Sequence, residues 1–238
     1  MFGVPKSINI LKKINLFYSK DKNRNKYRII ITPPFTLIET YSKFFKNKYV
    51  SIGSQNCYQK DHFSSNTAAV SPFMIKSVGA KYTLIGHSDN RREGDTDEML
   101  KDKTKFALKN NLKVVFCIGE NKFDKKNKKT FYVLKRQLTK VLEKKFNKKN
   151  IIIAYEPVWS IGTGKIPLPK DLKNTIIFIK KILKGIFRKN PPAVLYGGSV
   201  DGISVEMFKE IKEIDGFLIG GASKSSKKFI DIIKNYYR

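Results

Sequence analysis

The chain has 238 residues and two cysteines, and its 48 lysines and arginines against 20 acidic residues give a net charge of +28. No stretch approaches the roughly 18 consecutive apolar residues of a membrane span, and Met1 to Pro5 is too short for a secretory signal; Cys57 and Cys117 lie far apart in apolar surroundings, which argues against a disulfide or metal framework and for a cytoplasmic chain with reduced thiols and no membrane partner. The charge would suit a nucleic-acid partner, but the excess is lysine accompanied by Asn, Ile, Phe and Tyr, as in "NKFDKKNKKTFYVLK", residue types that A+T-rich codons specify; drift of helix surfaces produces the same excess, no nucleic-acid motif is found, and no nucleic acid is expected.

Short β-branched or apolar runs recur along the chain, each followed by a longer amphipathic stretch, the pattern of βα units around a parallel sheet. The first run, Met1 to Pro5, is the weakest, because Pro5 cannot donate a ladder hydrogen bond. Arg28 to Thr32, Val50 to Ser54 and Tyr82 to Gly86 follow. The fourth of these gives way to Gly86-His87-Ser88, one of only two histidines, at a strand-to-helix junction where a helix N-terminus would hold an imidazole neutral. A structural histidine is the competing reading. The stretch "EMLKDKTKFALKNN" has apolar residues three and four apart and predicts a helix, after which Val114 to Ile118 forms the fifth run.

The sixth run, Ile151 to Tyr155, ends in Glu156-Pro157, which puts a carboxylate on the sheet's rim as a candidate general base, or else as a salt-bridged strand end. In the following "PVWSIGTGK", Gly162 and Gly164 leave the segment free to close over a ligand, while Trp159 and Ile161 would exclude water. An ordinary glycine turn is the alternative, but large apolar residues in an exposed loop argue for a lid. After a helical stretch, "LKNTIIFIKKILKGIF", come the seventh run, Ala193 to Gly197, and the eighth, Gly216 to Gly220. They end in "YGGSV" and "IGGAS", whose glycines would let backbone N–H groups approach a phosphate.

Eight βα units in 238 residues is about 30 residues per unit, near the repeat of a (β/α)8 barrel, and barrels often bind phosphate after strands seven and eight. The expected fold is therefore α/β, a single (β/α)8 TIM barrel over residues 1–238 with a shortened first strand. A doubly wound open sheet is the alternative, but no G-x-G-x-x-G turn follows the first run, and no Pro/Gly/Ser-rich linker divides the chain.

The segments "IGHS" (Ile85 to Ser88), "CIGE" (Cys117 to Glu120), "AYEPVWSIGTGK" (Ala154 to Lys165), "YGGSV" and "IGGAS", with "IITPP" and "GSQN" before them, closely resemble the triosephosphate isomerase family in order and spacing. The resemblance implies interconversion of dihydroxyacetone phosphate and D-glyceraldehyde 3-phosphate through an enediol(ate), with no cofactor or metal. It implies that Glu156 is the base, that His87 is a neutral imidazole polarising the carbonyl, and that Lys6 stabilises the developing oxyanion. Gly162, Ser199, Gly220 and Gly221 match the phosphate-gripping positions, and the partner implied is a second copy of the chain in a homodimer.

The chain departs from the family in three places. The Asn-Trp-Lys segment after strand one reads Val4-Pro5-Lys6, keeping the lysine and losing the asparagine. The Glu-Arg-Arg after the histidine motif reads Asp89-Asn90-Arg91, in which Asp89 keeps the charge with less reach. The interface loop reads "SSNTAAVSP", with Thr67 in place and Ala69 where a glutamate is expected. Two other readings compete: an inactive barrel with a structural role, against which the whole lid, His87 and Glu156 speak, and a basic nucleic-acid binder, whose mark would be a steep loss of affinity with salt.

Overall fold

The computed structural model describes residues 3–46, 49–62 and 65–238. Helices and strands alternate in chain order: α1 (Ile8–Lys20), β1 (Ile29–Ile31), α2 (Phe35–Phe44), β2 (Val50–Ser54), α3 (Pro72–Ser77), β3 (Tyr82–Ile85), α4 (Ser88–Arg92), α5 (Asp97–Lys109), β4 (Lys113–Ile118), α6 (Lys122–Lys126), α7 (Thr130–Val141), β5 (Ile151–Tyr155), α8 (Pro169–Phe187), β6 (Ala193–Tyr196), β7 (Gly216–Phe217) and α9 (Ser226–Tyr236). All seven strands are parallel and pair in sequence order, β1 to β7, in one curled sheet with the helices outside it. This is the (β/α)-barrel architecture expected from the alternation, and the runs at Val50 to Ser54 and Ile151 to Tyr155 coincide with β2 and β5.

The first run is a correction. Met1 and Phe2 lie outside the described residues; Gly3 and Val4 form no strand, and Pro5–Ser7 is a single 3-10 turn leading into α1. Proline supplies no ladder donor and prefers the first turn of a helix, which is where Pro5 stands. Gly3 nonetheless packs against Pro34 and Leu37, just beyond the C-terminal end of β1, so the start of the chain sits at the rim where the strands end. The eighth run is also shorter than its sequence suggests: only Gly216–Phe217 pair with β6, and Leu218 extends the ladder by one bond to the Tyr196 carbonyl.

Period-two alternation buries both faces of the central strands. Tyr82, Leu84, Val115, Cys117 and Ala154 face the barrel interior, with Ile152, Leu195 and Leu218 packed on them, whereas Val114, Phe116, Ile118, Ile153 and Tyr155 face the helices. Register aligns Cys117, Ala154 and Leu195 across β4, β5 and β6 as one interior layer. The helices follow from their patterns: α8 buries Leu172, Ile176, Ile179, Leu183 and Phe187 at spacings of three and four, and α5 is capped by Thr96, whose side chain accepts the Met99 N–H. Lys103 of α5 is buried, but its ammonium is neutralised by both oxygens of Asp95 at 2.7 Å and reaches the Asn56 Oδ1 at 3.1 Å. That pair ties α5 to the loop after α4. Among the described residues no helix is long and apolar enough to cross a membrane.

Candidate active site

Glu156 immediately follows β5, and because Ile152 and Ala154 point inward, strand alternation sends its side chain to the barrel interior as well. Its N–H continues the ladder to the Ile118 carbonyl at 2.7 Å, so the residue is held as a strand residue although the chain turns at Pro157. Only 4% of Glu156 is exposed. Burial pushes its carboxyl above the ordinary range, opposed in part by His87. Its Oε2 has no hydrogen-bond partner among the described residues. The Cys117 thiol lies beside it, and burial together with the Glu156 charge keeps that thiol protonated by raising it well above its usual value.

His87 caps α4. Its Nδ1 accepts the Asp89 N–H at 3.2 Å, a helix-capping bond made by a histidine in place of the usual oxygen side chain. A nitrogen that accepts carries no proton, so the ring's proton resides on Nε2, and Nε2 lies 3.4 Å from Glu156 Oε1. The Asp89 carboxylate stands 3.6 Å from Nδ1, beyond hydrogen-bond range, and is instead engaged by Arg92 at 2.8 Å. The imidazole Nε2 and the desolvated carboxylate thus face each other at 3.4 Å, and Glu156 also lines a narrow cleft with Gly86, Ser88, Gly119 and Val158.

Arg91 braces this arrangement from behind. Its Nε donates to the Gly86 carbonyl at 2.8 Å, Nη2 to the Cys117 carbonyl at 3.2 Å and Nη1 to Asp97 at 3.3 Å, joining the ends of β3 and β4 to α5. Two glycines make the carboxylate's position possible: a Cβ at Gly119 would lie 1.8 Å from the Glu156 carbonyl oxygen, and one at Gly197 would lie 2.8 Å from Glu156 Cγ.

The lid, residues 157–165, departs from the same point. The Trp159 indole donates to Glu120 Oε1 at 2.7 Å, and Tyr155 donates to both Glu120 oxygens at 3.2 and 3.3 Å. Glu120 is fully buried; burial raises its carboxyl, and those hydrogen bonds oppose the rise. At the far end of the lid, Gly164 N–H donates to Ser199 Oγ at 3.2 Å, and Ser199 Oγ donates to the Ser160 carbonyl at 2.7 Å. Gly162, at φ +68, is exposed at the lid's tip. Gly220 and Gly221 open a 3-10 turn, Gly221–Lys224, whose first amides are free by geometry to meet an anion.

The structure therefore brings His87, Glu156 and Asp89 together, and docks the lid on Ser199. Lys6 is exposed on the turn at the start of the chain, and no hydrogen bond or ion pair among the described residues joins it to His87 or Glu156. Glu120, Arg91 and Gln137 were not assigned roles from sequence. The signal for Glu120 was its place two residues beyond an apolar run, in "CIGE", where a carboxylate must be either solvated or matched by donors.

The triosephosphate isomerase family model matches residues 5–236. The chain is 40% identical to the triosephosphate isomerase of Saccharomyces cerevisiae over 211 residues, covering 87% of this chain and 84% of that one. It is 35% identical to that of Dictyoglomus thermophilum over 228 residues, covering 93% and 91%. The crystal structure of triosephosphate isomerase from Bartonella henselae superposes with a TM-score of 0.90 at 30% identity, covering 100% of this chain and 96% of that one. Barrel, motifs and relatives agree: the chain belongs to the triosephosphate isomerase family, aldose–ketose isomerases that interconvert dihydroxyacetone phosphate and D-glyceraldehyde 3-phosphate.

Proposed function

We propose that Glu156 and His87 carry the proton transfers of this isomerisation. The observation that carries the reading is the facing pair itself, a buried carboxylate 3.4 Å from an imidazole nitrogen that holds the ring's proton. With the reacting carbons of a triose phosphate alongside both groups, ionised Glu156 takes a proton from the carbon beside the carbonyl. His87 Nε2–H donates to the carbonyl oxygen as negative charge develops there, and Glu156 returns the proton to the neighbouring carbon. Burial makes Glu156 a stronger base than a solvated carboxylate, since its charge is poorly solvated until it accepts the proton. Asp89 supports the reaction through its backbone N–H, which sets the imidazole tautomer.

Backbone N–H groups of Gly162, Ser199, Gly220 and Gly221 grip the phosphate, with the lid excluding water from the enediolate. Lys6 supplies positive charge to the developing oxyanion from the turn at the start of the chain. The reading extends to residues 1–238 as one domain, to a cytoplasmic location, and to a homodimer, for which the exposed tip at Thr67 and Ala68 is the contact surface.

The test is isomerisation of glyceraldehyde 3-phosphate by wild-type protein, Glu156→Asp and Lys6→Ala at several protein concentrations. Glu156→Asp withdraws the carboxylate by about 1 Å and should cost on the order of a hundredfold in kcat. Lys6→Ala should lower kcat/KM, and specific activity should fall on dilution if the dimer is the working unit. Absence of turnover by well-folded wild-type protein would overturn the reading.

A further inference from the structure

At the C-terminal end of β4 the ladder loses one of its two neighbours. Successive residues of a strand send their N–H and C=O groups alternately to the two flanking strands. Ile118 and Glu120 face β5 and the segment after it, for the Ile118 carbonyl accepts the Glu156 N–H at 2.7 Å and the Glu120 carbonyl accepts the Val158 N–H at 3.0 Å. Gly119 between them therefore faces the side of β3, whose register with β4 stops at Ile85 and Phe116, before Gly86 turns the chain into His87. On that side the Cys117 carbonyl is served by Arg91, and both backbone groups of Gly119 are served by Gln137: its Oε1 accepts the Gly119 N–H at 2.9 Å and its Nε2 donates to the Gly119 carbonyl at 3.1 Å.

Gln137 is 5% exposed and is the one polar residue on the buried face of α7, among Val133, Leu134, Leu138 and Val141. An amide on such a face costs free energy unless its donor and acceptor are both matched, and an aliphatic residue would pack there without that demand. A carboxamide is the neutral side chain that carries an acceptor oxygen and a donor N–H in the arrangement of a peptide group. It can therefore stand in for the strand that β4 lacks. What it holds matters, because the base and the root of the lid both hang on Ile118 to Glu120, through the Glu156 and Val158 N–H bonds and through the Glu120 carboxylate that accepts from Trp159 and Tyr155. Gly119 itself lies against the Glu156 peptide without room for a methyl group.

We infer that Gln137 is a positioning residue for the base: its carboxamide replaces the missing strand partner of Gly119 and so fixes the stretch of backbone on which Glu156 rests. This inference rests on the reading of Glu156 as the base. Gln137 acts through that backbone, from a helix outside the sheet, and takes no part in the proton transfers. Loss of the carboxamide leaves the N–H and C=O of Gly119 unpaired, and Gly119 then moves to satisfy them, taking Glu156 with it.

The experiment is steady-state kinetics on the full-length chain carrying Gln137→Met, which keeps the length and bulk of the side chain and removes both hydrogen bonds, beside Val133→Ala, which opens the same buried face of α7 one turn away. Gln137→Met should lower kcat about ten- to a hundredfold, the scale of a displacement of up to about 1 Å at a reacting group. KM and the inhibition constant of inorganic phosphate should stay within about twofold, the pattern of an interaction lost in the transition state, and Val133→Ala should keep kcat within about threefold of wild type. Where Gln137→Met does not fold, Gln137→Asn decides, since it leaves the carboxamide one methylene short of Gly119 and should show the same split. A kcat near that of wild type in the Gln137 variant, an equal fall in Val133→Ala, or a phosphate constant that worsens in step with kcat makes the glutamine a packing residue and overturns the inference alone. Turnover that survives Glu156→Asp undiminished overturns the reading of Glu156 as the base, and this inference with it.

Discussion

Substitution of Gly119 by alanine tests whether the carboxylate's placement is set by backbone contact. The new Cβ would lie 1.8 Å from the Glu156 carbonyl oxygen and 2.6 Å from its carbon, where real Cβ atoms essentially never come under 3.0 Å. Gly119 cannot be the partner that retreats. Its N–H donates to Gln137 Oε1 at 2.9 Å and its carbonyl accepts from Gln137 Nε2 at 3.1 Å, a two-point grip from a side chain buried in α7. The shift therefore falls on Glu156, breaks its 2.7 Å bond to Ile118 and carries its carboxylate away from His87. A displacement of about 1 Å at a reacting group costs on the order of a hundredfold in rate, so kcat should fall by about that factor. KM should change far less, because Ser199, Gly220 and Gly221 lie on other elements. Overpacking should also cost about 1–3 kcal/mol of stability. Steady-state kinetics on protein shown by circular dichroism and thermal melting to be folded decides the matter. A Gly119→Ala enzyme retaining kcat within about threefold of wild type would show that the end of β5 can yield without moving the base, and the reasoning would fail.

Glu156→Gln should abolish turnover while raising stability at neutral pH. Burial raises the carboxyl in the folded state, so its favourable contribution is present only while it is protonated and is lost as pH rises through that raised value. The glutamine variant's advantage in urea midpoint should accordingly grow with pH across the acid range and then level off, and a variant less stable than wild type at pH 7 would contradict this. The same raised carboxyl should place the acid limb of the wild-type kcat/KM profile above the ordinary carboxylate range. Gly185→Ala, at an exposed position of α8 where a Cβ meets nothing within 4 Å, should stabilise the protein by about 0.5–1 kcal/mol in urea unfolding, without touching the site; destabilisation there would refute the helix-propensity argument.

Much of this was legible in the sequence because period-two runs and helical spacing are local properties. Ile151 to Tyr155 reads as a doubly buried strand, and the alternation that buries Ile152 and Ala154 also dictates where Glu156 points. His87 was legible as a junction residue, and its capping of α4 follows from that position. What could not be read is the work of contacts between distant segments. Gln137 grips Gly119 across 18 residues, Trp159 finds Glu120 across 39, and Arg91 reaches the Cys117 carbonyl, and no periodicity announces any of these. The first run failed as a strand for a local reason that the sequence did contain, the proline at its end.

The distribution of the site over the sheet bears on what that failure costs. Glu156, His87, Arg91 and Gly119 all stand at the ends of β3, β4 and β5, where β4 pairs β5 through five register positions and β3 pairs β4 through four. Their neighbours on both faces are buried, so fraying there would expose the core. Lys6 stands in the turn that leads into α1, ahead of β1, which has three residues, and Gly220 and Gly221 follow β7, which has two. On the proposed reading, proton transfer rests on the best-held strands, whereas the glycines proposed to face the phosphate follow the sheet's last and shortest strand. The irregular first run should accordingly alter the proposed oxyanion contribution of Lys6 while leaving the geometry between Glu156 and His87 intact.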